Sequence, residues 1–408
     1  MSRLKLWIMV ALIIISVTVS LLNFETLTTA LSEYKVSMSG GNLSKSKAPL
    51  GGESIKRRIL LWTKMFSDDW FYMGTTGHFD SCPKKYKNCE LTRSRDLVDV
   101  TKFDAILFHG NELRLDDLPE KREPHQRYVY VNLESPGTRK DPLNSYFEDF
   151  FNMTMTYKLD SDIFWPYRLM RNIATGQVAA PLEHPEWLQA LDNSMKPSLN
   201  VTFERKKKPI AWLVSNCDTP GKRELYVNEL QKHVQVDIIG GCARFFNDAP
   251  KCSKSKNCFA DFIEREYFFY LSFENSLCTD YVTEKFYNAL GYQIIPVVYG
   301  GANYTRFAPP HSYIDAMDFD SPKQLAEFLT SLSKDREEYL SYFWWKKFYE
   351  ITDPNNWTLC NICRLLNKLD GQSKSYSHIS SWYAQDQCPI QNRFFNGMFA
   401  TKASRDRT

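Results

Sequence analysis

Glu284 and Lys285 stand side by side between two apolar stretches. A carboxylate there can accept both hydroxyls of a ribose, and an ammonium beside it can neutralise a diphosphate. By spacing alone, a Glu-Lys pair is most often a solvated helix face, so its neighbours must decide. Ser215 and Asn216 close an earlier apolar run, and Arg223 opens the periodic stretch that follows. A phosphate held there would meet backbone N–H groups, a helix dipole and a guanidinium fork. No Gly-x-Gly-x-x-Gly accompanies these residues, which argues against a nicotinamide cofactor. Further upstream, Glu134 ends another apolar run within Asn132-Leu133-Glu134-Ser135-Pro136. A carboxylate at a strand terminus can take a proton from an attacking hydroxyl, although a carboxylate beside a Pro-directed turn is also a common surface feature. Asp160-Ser161-Asp162 has a spacing that can hold a divalent metal.

These residues need strands to carry them. Short apolar runs bounded by polar residues predict buried strands at 58–62, 104–108 and 127–133. The charged stretch 204–208 reads as a surface linker. A second alternation follows, with strands at 210–214, 236–239, 267–273 and 294–299 and helices at 222–233, 281–290 and 321–333. Thr279 and Asp280 are the candidate caps of the middle helix. Leu325, Phe328 and Leu329 are expected on one face of the last. This rhythm predicts an α/β fold of two Rossmann-like domains facing a cleft. Ligands in such sheets bind at the carboxyl ends of strands, where Ser215, Glu274-Asn275-Ser276 and Glu134 all fall.

The bulk properties narrow the function classes. The chain has 408 residues, 43% hydrophobic and 24% charged, which is enough for two cores and excludes disorder for most of its length. A net charge of +3 makes no case for nucleic acid. Residues 6–22 are almost wholly apolar, with Arg3 and Lys5 before them and no basic residue until Lys35. That pattern predicts an uncleaved membrane anchor with its N-terminal side cytoplasmic. A cleaved signal peptide, with Thr18-Val19-Ser20 at the cleavage site, is the rival. Residues 23–57, rich in Ser, Thr, Gly and Lys, read as a stem. Five Asn-x-Ser/Thr sequons, at Asn42, Asn152, Asn200, Asn303 and Asn356, and an even ten cysteines agree with a secretory lumen. Cys360-x-x-Cys363 has no second pair of matching spacing, so structural disulfides are expected over zinc or redox chemistry, with connectivity left open.

Phe269-Tyr270-Leu271-Ser272-Phe273-Glu274-Asn275-Ser276, followed by Asp280-Tyr281-Val282-Thr283-Glu284-Lys285, resembles the donor motif of the α1,3-fucosyltransferase family. Ile295-Pro296-Val297-Val298-Tyr299-Gly300-Gly301 and Phe307 to Ile314 continue the likeness. Trp212 to Arg223 resembles the family's phosphate-binding loop and helix, and Cys360 and Cys363 its terminal CxxC. The resemblance implies a GT-B fold and GDP-fucose as donor. It implies Arg223 and Lys285 on the diphosphate and Glu284 on the ribose. Asn275 and Tyr281 would line the fucose–phosphate region, with Ser215 and Asn216 beside it. Glu134 would be the base for inverting transfer to the 3-hydroxyl of a GlcNAc on a glycoprotein or glycolipid glycan. The stretch around Asp160 and Asp162 resembles a first-half element of this family, not a metal motif, so no protein metal site and no required cofactor are expected.

The implied organisation is a cytoplasmic tail 1–5, an anchor 6–22, a stem 23–57, an acceptor-side domain 58–203, a donor domain 209–350 and a cysteine-containing extension 351–408. The protein would be a single-pass type II Golgi membrane protein with a lumenal catalytic region. Phe108-His109-Gly110-Asn111 matches the family's acceptor-related segment but departs from it at Gly110 and Asn111. His109 is therefore a candidate acceptor contact, with a structural role equally open. The acceptor itself stays open among antennary and core GlcNAc residues. The competing readings are another GT-B transferase and an inactive, glycan-binding relative.

Overall fold

The strands Ala105–His109, Arg127–Asn132, Met153–Thr156 and Ile295–Tyr299 are each buried along their whole length. That is the signature of strands covered on both faces of a parallel sheet. The computed structural model describes residues 55–138, 145–188, 203–245, 257–368, 374–385 and 387–388. The anchor, residues 23–54 of the expected stem, Asn42 and Asn200 lie outside the described residues, and Arg57, read as the end of the stem, is already in the first strand, paired with Cys89. Among the described residues no helix is long and apolar enough to cross a membrane.

The first sheet contains β1 (Arg57–Leu61), β2 (Cys89–Thr92), β3 (Ala105–His109), β4 (Arg127–Asn132), β5 (Met153–Thr156) and β6 (Ile163–Phe164). Its order is β2-β1-β3-β4-β5-β6, and every pair is parallel. Two further strands, β7 (Leu169–Asn172) and β8 (Val178–Ala180), pair antiparallel. The second parallel sheet contains β9 (Lys208–Leu213), β10 (Val236–Ile239), β11 (Tyr267–Phe273), β12 (Ile295–Tyr299) and β13 (Ile314–Asp315), in the order β10-β9-β11-β12-β13. Both sheets are parallel α/β layers, as expected. Their order is the flavodoxin-like one: the second strand flanks the first, and the third pairs on the first strand's other side. The switch point of the second sheet therefore lies between β9 and β11.

The helices begin where side chains can cap them. α1 spans Arg223–Leu230, α2 spans Glu284–Gly291 and α3 spans Pro322–Leu332. Ser321 caps α3 ahead of Pro322, a residue whose missing N–H costs nothing at that position. Leu325 and Leu329 of α3 are fully buried, whereas Phe328 is partly exposed. α2 starts three residues later than predicted. Thr283, not Thr279 or Asp280, is its cap, accepting from the Lys285 N–H. Asp280 instead sits at φ +59° and turns its carboxylate to the Leu159 N–H at 3.2 Å and to Arg306 at 3.2 Å. The stretch 204–208 is likewise no plain surface linker. Lys206 is buried and donates to the carbonyls of Glu264 and Tyr267 at 2.6 and 2.9 Å, and burial pulls its pKa down to about 7.

From Tyr349 the described chain returns to the first half. Strand β14 (Tyr349–Thr352) pairs antiparallel with β7. Helix α4 (Asn355–Lys368) sets Leu359, Ile362 and Leu366 against Ile59, Leu107, Val129 and Val131 on one face of the first sheet. Each buried aliphatic contributes about 2 kcal/mol. Helix α5 (Ile379–Ala384) packs with Phe103, Ile106, Phe108 and Tyr130 on the other. Disulfides Cys82–Cys360 and Cys89–Cys363 pin α4 in place. The CxxC cysteines thus bond outward to separate partners, and neither a zinc site nor a redox pair is formed. Cys217–Cys242 and Cys278–Cys388 are also bonded, and no cysteine is free among the described residues.

Candidate active site

Strand β11 ends at Phe273 and delivers Glu274, Asn275 and Ser276 to the switch point. Glu274 is fully buried. Its carboxylate accepts from the Thr283 N–H at 2.8 Å and from the Thr283 hydroxyl at 2.8 and 3.0 Å, and it faces the Lys285 ammonium at 3.4 Å. Burial raises the Glu274 pKa, and Lys285 opposes the rise. Lys285 also donates to the Thr283 hydroxyl and to Glu284, both at 2.9 Å. Burial favours its neutral form, but Glu274 and then Glu284 outweigh that and raise its pKa. Glu284 is half exposed. The partial desolvation that would raise its pKa is overcome by Lys285, which holds the carboxylate ionised. Gly301 closes the back of this loop: a Cβ there would collide with the main chain at Leu277 and Cys278.

Across the switch point, Ser215 and Asn216 are exposed beyond β9. The Ser215 hydroxyl accepts weakly from the Gly241 N–H at 3.4 Å, and the Cys217–Cys242 bond ties these two loops. Arg223, the first residue of α1, is only 3% exposed. It donates to the Phe273 carbonyl at 2.6 Å and to the Asn216 carbonyl at 3.2 Å, clasping the ends of β11 and β9 together. Burial lowers its pKa, and Glu274 and Glu224 partly restore it. Asn275 keeps a buried side-chain oxygen with no hydrogen-bond partner among the described residues.

The first sheet meets this wall at Glu134. The residue follows β4 and is partly buried, with its N–H bonded to the Asn132 side chain at 2.8 Å. Its carboxylate accepts from the Thr138 hydroxyl at 3.2 Å and, across the two halves, from the Tyr281 hydroxyl at 3.4 Å. Burial raises the Glu134 pKa, while Lys285 and then the Thr138 hydroxyl oppose the rise. The next residue, Ser135, donates to Ser276 at 2.7 Å. Tyr281 is buried, edge-on to Tyr157 at 5.0 Å. The sequence-predicted residues Glu134, Arg223, Asn275, Tyr281, Glu284 and Lys285 are thus brought to one place, with Ser215 and Asn216 at its rim.

Four residues were missed. Glu274 and Thr283 orient Lys285, and Glu134 is held by Thr138 at its carboxylate and by the Tyr383 hydroxyl, which donates to its main-chain carbonyl. Glu274 lay inside the quoted motif, where its position at a strand end was the available signal. Tyr383 carried no signal. His109, expected to touch an acceptor, has no exposed surface: it packs beside Phe66 and Phe71, at ring distances of 4.9 and 6.2 Å. The carboxylates of the Asp160-Ser161-Asp162 stretch are engaged by the C-terminal segment. Asp162 accepts from Thr154 and Tyr376, and Asp160 from the Trp382 indole at 3.1 Å. Among the described residues no group of three or more His, Cys, Asp or Glu is placed to hold a metal. Of the expected glycan sites among the described residues, Asn152 is buried, whereas Asn303 and Asn356 are exposed.

Comparison with known proteins gives the family. Residues 203–382 match the profile described as glycosyltransferase family 10 (fucosyltransferase) C-term, and residues 54–168 match that of the fucosyltransferase N-terminal region. Over 350 residues the chain is 38% identical to alpha-(1,3)-fucosyltransferase C of Drosophila melanogaster, covering 83% of this chain and 80% of that protein. It is 34% identical over 342 residues to a 3-galactosyl-N-acetylglucosaminide 4-alpha-L-fucosyltransferase of Bos taurus, covering 80% and 81%. The solved structure of an alpha1,3-fucosyltransferase with GDP-fucose is 16% identical, covers 88% of this chain and 94% of that chain, and superposes at a TM-score of 0.43. With a parallel-sheet switch point that gathers the motif residues and relatives matched along most of its length, the chain belongs to glycosyltransferase family 10, the fucosyltransferases.

Proposed function

We propose that the chain is an inverting α1,3-fucosyltransferase that moves L-fucose from GDP-β-L-fucose to the 3-hydroxyl of a GlcNAc in a glycoprotein or glycolipid glycan. The observation that carries this reading is the 3.4 Å contact of the Tyr281 hydroxyl with Glu134, which sets a carboxylate of the first half against the motif loop of the second. In the proposed step, Glu134 takes the proton of the acceptor hydroxyl. The freed oxygen pair bonds the fucose anomeric carbon from the face opposite the diphosphate, and the carbon–phosphate-oxygen bond breaks to release GDP. Lys285 and Arg223 meet the charge growing on that diphosphate, a preplaced positive field that costs no reorganisation. Glu284, held ionised and half exposed, accepts the ribose hydroxyls. Asn275 and Tyr281 line the fucose–phosphate region beside Ser215 and Asn216.

Two parallel sheets whose carboxyl ends meet at this point suit a GT-B arrangement, with an acceptor-side half at 58–203 and a donor half at 209–350. The apolar run 6–22 and the disulfides suit a type II protein of the Golgi membrane whose catalytic region is lumenal. Charge on the diphosphate is met by side chains, so no resident metal is proposed.

Glu134→Gln should lower transfer by a factor of about 100 or more while GDP binding, read by calorimetry, stays unchanged. Retained turnover would sink the assignment. The wild-type pH profile supplies a second test. Because burial raises the Glu134 pKa and the protonated base is inactive, kcat/KM should fall on the acid side at a pH above the ordinary glutamic acid value of 4.5. An acid limb at or below 4.5 would contradict the buried base.

A further inference from the structure

Beyond α4 the chain runs back along the first sheet as a strap of residues 374–385 and 387–388. It is held by polar contacts along its length. The Lys374 ammonium pairs with Asp162, and the Tyr376 hydroxyl donates to the same carboxylate at 2.8 Å. The Tyr376 N–H bonds the Phe151 carbonyl at 2.9 Å, and its own carbonyl accepts from Asp149 at 3.0 Å. Lys158, itself buried, donates to the Trp382 carbonyl at 2.8 Å and lies 3.9 Å over that indole. Tyr383 is fully buried, with its ring 5.3 Å from Tyr130 and 6.3 Å from Tyr157. Its hydroxyl donates to the main-chain carbonyl of Glu134. A little further on, the Gln387 carbonyl accepts from the Thr279 N–H at 2.7 Å, and Cys388 is bonded to Cys278.

We propose that this strap positions the two sides of the transfer site, with Tyr383 acting on Glu134 and the Cys278–Cys388 bond acting on the donor loop. The proposal rests on the assignment of Glu134 as the base. Two side-chain contacts to the Glu134 carboxylate, from Thr138 and Tyr281, are long at 3.2 and 3.4 Å, so its aim depends on the main chain behind it. That main chain is gripped at the N–H by Asn132, from its own strand, and at the carbonyl by Tyr383, from the strap. Cys278 and Thr279 begin the loop that carries Tyr281 and ends at Thr283, the cap of α2. Tyr383 and Cys388 thus support the base and the donor loop from one short stretch of sequence. The family profile match ends at residue 382, so neither Tyr383 nor Cys388 is part of it.

The test uses the full chain and the variants Tyr383→Phe, Cys278→Ser with Cys388→Ser, and Glu134→Gln. Tyr383→Phe keeps the ring and removes only the hydroxyl. A misplacement of about 1 Å costs roughly a hundredfold, so kcat should fall by a factor of about ten to a hundred, with the KM for GDP-fucose within about twofold of wild type. The acid limb of the kcat profile should move, because the surroundings of Glu134 change. In a Glu134→Gln background the same substitution should cost nothing further. The double serine variant should raise the KM for GDP-fucose by about tenfold, since it frees the donor loop. If Tyr383→Phe lowers only the melting temperature, with kcat and the acid limb unmoved, Tyr383 is structural and the proposal fails. If Glu134→Gln itself retains turnover, the base assignment fails and takes this proposal with it. An inactive Glu134→Gln beside a wild-type-like Tyr383→Phe defeats the strap alone.

Discussion

His109 shows how an isolated side chain can set a property of the whole protein. Neither ring nitrogen has a hydrogen-bond partner among the described residues, and the ring has no exposed surface. Burial therefore disfavours the imidazolium and lowers the pKa from 6.5 to about 4. A depressed folded-state pKa contributes stability that is present above the unfolded value and lost as pH falls through the folded one. Between pH 6.5 and 4 the unfolded chain takes up a proton that the folded chain refuses, at a cost of about 3 kcal/mol. Wild type should lose that much more than His109→Gln between pH 7 and pH 4 in urea unfolding, and parallel stability curves would refute the account. Glu274 shows the converse. It too is fully buried, yet both its oxygens are met by Thr283 and Lys285, so its burial serves to aim an ammonium. The sequence presented His109 and Glu274 alike, as polar residues closing apolar strands; only their neighbours in space separate them.

At the scale of elements, the parallel strands were legible because β3, β4, β11 and β12 are short apolar runs, as strands buried on both faces must be. The start of α2 was not legible, because Thr279, Asp280 and Thr283 can each cap a helix and the choice falls to Glu274, which takes the Thr283 N–H and hydroxyl from the neighbouring strand end. Asn152 makes a related point. A sequon is three residues of local sequence, whereas Asn152 sits just before β5, where its oxygen accepts from the Tyr128 N–H at 2.9 Å and from Arg122 at 2.5 Å. Its amide donates to the Lys374 carbonyl at 2.8 Å. Peptide mass spectrometry should find glycan on Asn303 and Asn356 and none on Asn152. Asn152→Ala should cost roughly 3 kcal/mol, because it strands buried donors and an acceptor; a glycan at that residue, or a neutral substitution, would contradict this packing.

At the scale of the molecule, the first sheet is completed by residues that follow the second. Helix α4 covers one face and α5 the other, and the Cys82–Cys360 and Cys89–Cys363 bonds close loops with sequence separations of 278 and 274 residues. Cross-links over such long loops restrict the unfolded chain strongly. Replacing Cys82 and Cys360 together by serine should lower stability by about 2–4 kcal/mol, read as a fall in Tm, and an unchanged Tm would show that α4 is held by packing alone. The sequence by itself determined the class of chemistry and the alternation of strands and turns, since a nucleotide-binding motif and a buried strand are both written in contiguous residues. It also placed Glu134, Arg223, Asn275, Tyr281, Glu284 and Lys285 at the ends of elements that had to lie near a ligand. Only the tertiary structure decided the strand order, the outward pairing of the CxxC cysteines and the return of the C-terminal strap to the carbonyl of Glu134. The cysteine pairing and the strap join residues more than two hundred positions apart, and the strand order pairs segments that are not neighbours in sequence, such as β1 with β3 and β9 with β11; local propensity carries no information about such partners, which are selected by burial of the sheets' faces.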